Sequence, residues 1–178
     1  LSLSKFESMM KTNKVFFFDS EEFEEIILHY LDIGKTNLAK KALKLGLDQH
    51  PKSIGLRLVQ VEMLIFEEKL DVAEKLLNEL YSIEPQNEEI YIQKASICSK
   101  KDDHLKAVEY LKQAIEFSDD LADIYNLIGM EYLFMDDFEQ SKIYFTKCLE
   151  EEIEEQSSIY NVIYLYLLLI NFNVFFTP

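Results

Sequence analysis

The side chains that could do chemistry are few and scattered. Three histidines, His29, His50 and His104, are far apart, with no His-x-x-x-His spacing and no Glu placed as in zinc proteases, so no metal site is indicated. Cys98 and Cys148 are too few for a disulfide framework, and neither has a second thiol or a His at ligand spacing. Asp102-Asp103 and Asp136-Asp137 resemble the paired carboxylates of acid–base catalysts. They recur 34 residues apart, however, which suits turn and helix-capping residues better than a catalytic couple. A chain with four Gly has no Gly-x-Ser-x-Gly elbow and no Gly-rich phosphate loop. The expectation is a protein that is not an enzyme and that needs neither cofactor nor metal.

Composition narrows the class further. Of 178 residues, 48% are apolar and 29% charged, the balance of a soluble folded protein. Asp and Glu number 33 against 18 Lys and Arg, and a formal charge of −15 with no segregated basic stripe excludes nucleic acid as a partner. Scarce Gly and Pro favour helix almost everywhere, so the fold class expected is all-α. Few thiols and no apolar secretory core in residues 1–11 point to a reducing, cytoplasmic setting; the absence of an initiator Met suggests a processed or excised chain. Ile159 to Phe176 runs without a charge, but Asn and Tyr interrupt it and no basic residues flank it, so a membrane span is not expected.

The elements that would position any site repeat. Pro51 and Pro85 are 34 apart, and the same step links Ala39, Ala73, Ala107 and Ser141, then Leu43, Leu77, Leu111 and Phe145. Two more series are Phe23, Arg57, Tyr91, Tyr125, and Tyr30, Leu64, Cys98, Tyr132. Within a unit, Phe23, Ile26, Ile27 and Tyr30 form one helical stripe. Small residues at one position and large ones four later let two helices approach and interlock, and a lone unit could not cover its apolar faces, so units must stack. The spacing predicts helices over 21–33, 36–49, 54–67, 70–83, 88–100, 104–117, 122–135, 138–151 and 157–170. Asp19, Ser20, Asp71, Asp119 and Asp137 are the expected helix caps, and Ser4 with Glu7 reads as a capping box opening a short first helix.

These residues resemble the tetratricopeptide repeat. The fourth copy carries the pattern best, with Tyr125, Ile128, Gly129, Tyr132, Phe145 and Cys148 in the family's key places; the second departs from it at Arg57, Gln60 and Val61. The resemblance spans roughly residues 20–170. It implies a right-handed α-solenoid of antiparallel two-helix repeats at 20–53, 54–87, 88–121 and 122–156. Residues 1–19 would cap one end, and 157–178 would form a partial fifth repeat or apolar C-terminal helix.

The resemblance also implies a site, because such solenoids bind partners in the groove lined by the first helix of each unit. Offset from the packing stripe, the groove residues expected are Glu24, Leu28, Leu31 and Asp32, then Leu58, Glu62 and Ile65. Ile92, Ser96 and Ser99 follow, then Asn126, Met130 and Leu133. This acidic and apolar surface suits another protein or peptide bearing Lys or Arg beside apolar anchors. Some family members clamp a chaperone's acidic carboxyl terminus with Lys, Arg and Asn at these positions. Here Glu24, Leu58 and Ile92 stand there instead, only Asn126 and Asn161 are of a suitable type, and Arg57 is the single Arg, so such tails are not expected to bind. The alternative is a structural or oligomerisation unit that acts through the apolar segment 159–176, forming a homo-oligomer.

Overall fold

The computed structural model describes residues 2–12, 16–151 and 163. Among them are nine helices and no strand: α1 (Ser2–Thr12), α2 (Ser20–Asp32), α3 (Thr36–Gln49), α4 (Ile54–Phe66), α5 (Leu70–Ile83), α6 (Glu88–Lys100), α7 (His104–Ala114), α8 (Ala122–Phe134) and α9 (Phe138–Glu151). Helices α2 to α9 follow the predicted spans to within one residue at each end, except that α7 closes at Ala114 rather than at 117. There the chain tightens, with Glu116 N–H donating to Gln113 O and Phe117 N–H to Ala114 O. The predicted helix over 157–170 and the apolar segment 159–176 lie outside the described residues, Ile163 apart.

The turns explain why the period is so regular. Gly34, Glu68, Asp102 and Asp136, spaced by 34, all have left-handed backbone, with φ of 69°, 59°, 59° and 58°. The next residue in each case donates its N–H five residues back: Lys35 to Tyr30 O (2.7 Å), Lys69 to Leu64 O, Asp103 to Cys98 O and Asp137 to Tyr132 O (each 2.9 Å). This is the paired closure that satisfies the last carbonyls of a helix, repeated at the end of α2, α4, α6 and α8. The acidic pairs therefore divide their work. Asp102 and Asp136 take the left-handed position, while the carboxylates of Asp103 and Asp137 accept from Lys106 N–H (3.3 Å) and Gln140 N–H (3.1 Å).

Other caps differ from expectation. Ser53 accepts from Leu56 N–H (3.2 Å) and Asn87, 34 residues on, from Glu89 N–H (3.1 Å). Asp71 lies inside the first turn of α5 rather than before it, and Asp120, not Asp119, accepts from Ala122 N–H at 3.3 Å. Ser4 is no cap, because α1 begins earlier; Ser2 instead donates its hydroxyl to Glu22 Oε1 at 2.8 Å.

The chain divides into two compact units, residues 1–80 and 81–178. In the first, α1 buries Phe6 and Met9 in a core with Phe18, Phe23, Ile26, Ile27, Tyr30, Ala39, Ala42, Leu43, Leu56 and Met63. The second is built on Tyr91, Ala95, Cys98, Ala107, Val108, Leu111, Ala114, Ile124 and Ile128. Ala39, Ala73, Ala107 and Ser141 are all fully buried, as are Leu77 and Phe145 of the large series. Ser141 is tolerated at the small position because its hydroxyl donates to Gly129 O at 2.9 Å. Gly129 in turn lets Phe145 fit, since a Cβ there would lie 2.6 Å from the Phe145 ring.

Arg57, the defect in the aromatic series, also has a physical role. The carbonyls of Phe17, Pro51 and Pro85 are spaced by the repeat, and each accepts from a different donor: Lys5 Nζ (3.0 Å), Arg57 Nη2 (3.0 Å) and Tyr91 Oη (2.8 Å). The guanidinium replaces the phenol as the donor that closes this loop.

Candidate functional site

The first helix of each pair carries the expected groove residues, α2 and α4 in the first unit, α6 and α8 in the second. On α2, Leu28 and Asp32 are exposed while Glu24 and Leu31 are half-buried; on α4, Glu62 is exposed. Leu58 and Ile65 depart from expectation: they are 7% and 5% exposed and offer almost no area to a ligand. The cause is that α4 is apolar around most of its circumference, burying Leu56, Leu58, Val61, Met63 and Ile65. In the second unit Ile92, Ser96, Ser99, Asn126, Met130 and Leu133 are half-buried, each partly open to a ligand.

The carboxylates of α2 and α4 are electrostatically unusual. Burial, with Glu21 as a like-charged neighbour, pushes the Glu24 carboxyl above the usual range. Its carboxylate fills the space over Gly55, where a Cβ would lie 2.1 Å from Oε1, at the first turn of α4. Desolvation and then Asp32 likewise raise Glu62. Among the described residues, no Lys, Arg or His forms an ion pair with Glu24, Asp32 or Glu62. Glu67, one residue past α4, is the opposite case: hydrogen bonds from Lys40 and Lys69 hold its carboxyl down at about 2.

Around Leu31, a groove residue expected from the sequence, stand several that were not foreseen: Thr36, Lys40, Met63, Phe66 and Glu67 enclose with it a recess of about 230 Å³ in the first unit. Phe66 is 71% exposed and lies one residue past the groove positions expected on α4. A signal did exist, since Phe134, two repeats on, is also a helix-ending Phe and 56% exposed. In the second unit, Glu131 of α8 is buried, with Oε2 2.8 Å from His104 Nδ1, and the His104 ring lies 5.4 Å from that of Phe134. That pair ties the start of α7 to the end of α8. Among the described residues, no three His, Cys, Asp or Glu side chains gather as a metal ion would need, and no helix is long and apolar enough to cross a membrane.

Comparison with known proteins places this geometry. The tetratricopeptide repeat model matches residues 88–120 and 122–152, the units α6–α7 and α8–α9. No curated protein matches the sequence. Among solved structures, the chain is similar to TTC0263, a thermophilic tetratricopeptide-repeat protein of Thermus thermophilus, at 20% identity. That match covers 93% of this chain and 89% of the other, with a TM-score of 0.76. A tetratricopeptide-repeat protein from Parabacteroides merdae is similar at 17% identity over 92% of this chain and 63% of its own, TM-score 0.76. Pseudomonas aeruginosa PilF is similar at 19% identity over 85% of this chain and 69% of its own, TM-score 0.68. Residues 88–120 and 122–152 thus match the tetratricopeptide repeat in sequence, and the chain as a whole shares the all-α helical-repeat solenoid fold of these structures.

Proposed function

We propose that the chain is a non-catalytic interaction scaffold that binds a segment of another protein on the open faces of its first helices. The ligand is basic and apolar. One observation carries this reading: Glu24, Asp32 and Glu62 stand beside exposed Leu28 with no cation opposite them among the described residues. Desolvation disfavours the charged form of Glu24 and Glu62, a cost that an incoming Lys or Arg would relieve. Apolar side chains such as Leu28, Leu31 and Met130 would supply affinity, and the carboxylates selectivity. A fold that builds repeated helix faces around a packed core is well suited to this task and has no need of reacting groups.

Affinity purification with the native chain, Leu28→Lys and Met130→Lys tests the proposal. Loss of a captured protein in both variants, with helicity unchanged, is the expected result. Retention in both would transfer the activity away from the groove, to the segment 159–176 if the purified chain also associates with itself on concentration.

A further inference from the structure

Within the first unit, α2 and α4 end side by side over a recess whose walls differ in chemistry. Leu31, Met63 and the 71% exposed Phe66 make the apolar wall. Asp32 and Glu62, next in sequence to Leu31 and Met63, are exposed carboxylates close enough to repel one another. At the other rim Lys40 and Lys69 are already committed to Glu67, so this cluster offers no free cation to an acidic ligand. A volume of about 230 Å³ is too small for a cofactor, whose pockets run from roughly 300 Å³ upward, but it holds one large side chain. A ring as open as that of Phe66 gains most from being covered, whereas the carboxylates gain from a cation.

Resting on the interaction-scaffold reading, we infer that the recess between Leu31, Met63 and Phe66 seats a Leu, Met or Phe side chain of the bound segment, with an adjacent Lys or Arg placed between Asp32 and Glu62. The occupant is a protein segment in which a large apolar residue neighbours a cation. Its anchor covers Phe66, and its charge relieves the repulsion between the two carboxylates. Thr36 and Lys40 bound the recess from α3, so the anchor reaches past the groove helices to the edge of the pair.

The test is to pan the full chain against a short random peptide display library. Enriched peptides are then titrated by fluorescence anisotropy against the native chain, Phe66→Ser, Glu62→Lys and Leu28→Lys, with circular dichroism confirming that each variant keeps its helices. The expected peptides carry Leu, Met or Phe next to Lys or Arg; Phe66→Ser weakens them about tenfold, as removal of an anchor contact does, and Glu62→Lys both weakens binding and flattens its salt dependence. Peptides that lose binding with Leu28→Lys but are indifferent to Phe66→Ser would overturn the recess and leave the scaffold reading standing. Acidic peptides, no enrichment, or binding indifferent to all three substitutions would overturn both.

Discussion

Arg57 and Tyr91 show how one structural requirement can be met by two chemistries. Each donates to a proline carbonyl six residues earlier. Removing the donor with Arg57→Leu should lower stability by about 1 kcal/mol in urea denaturation, the net worth of one such bond, and Arg57→Tyr should recover most of it. If Arg57→Leu were neutral, the equivalence would be decorative. Single carboxylates make a second test. Because desolvation by the surrounding protein, together with a like-charged neighbour, raises half-buried Glu24 and the more exposed Glu62, their folded forms bind a proton more tightly than the unfolded chain does, so each group opposes folding at neutral pH. Glu24→Gln and Glu62→Gln should therefore stabilise the chain at pH 7, with an advantage that fades as pH falls through the raised folded-state values and is gone below the ordinary carboxylate range. Glu67 has the opposite sign: its depressed carboxyl contributes stability above the usual carboxylate pKa that is lost as pH falls toward about 2. Glu67→Gln should accordingly flatten the acid limb of the stability profile.

Among the helices, the turns between α2 and α3, α4 and α5, α6 and α7, and α8 and α9 share one left-handed residue, yet only the first uses Gly. An L side chain there costs roughly 1 kcal/mol or more. Substituting Glu68→Gly, Asp102→Gly and Asp136→Gly should each raise stability by about 0.5–1 kcal/mol, less any entropy Gly returns to the unfolded chain. A loss of stability at all three sites would contradict the closure described here. Helix limits were legible in the sequence because a single period carries both the apolar stripe and the turn, so each copy corrects its neighbours. The early end of α7 was not, because it depends on a local tightening with no residue signature. The groove was legible only where the helix has one apolar face. On α2 the offset from Phe23, Ile26, Ile27 and Tyr30 finds exposed Leu28; on α4, apolar on several faces, it finds buried Leu58 and Ile65 and stops short of Phe66. Lys94 shows the same limit. It occupies the packing place of Ile26 and Ile128, and its ammonium lies 4.0 Å from the centre of the Tyr81 ring, with Tyr110 and Tyr91 at 5.8 and 6.0 Å. Only tertiary structure shows that three tyrosines make a lysine acceptable there.

Taken as one chain, the protein carries −15 formal charges, and the groove residues follow that bias in the first unit but not in the second, where Ile92, Ser96, Asn126, Met130 and Leu133 are uncharged. Net charge of this size steers cationic segments toward the surface and makes their capture sensitive to salt. It also argues against acidic carboxyl-terminal tails, which should show no binding in calorimetry. The most direct measurement is hydrogen exchange of the intact chain, free and saturated with a display-selected basic and apolar peptide. Slowed exchange concentrated in α2, α4, α6 or α8 is the result predicted. Protection confined to α3, α5, α7 and α9, or to residues beyond 151, would contradict it.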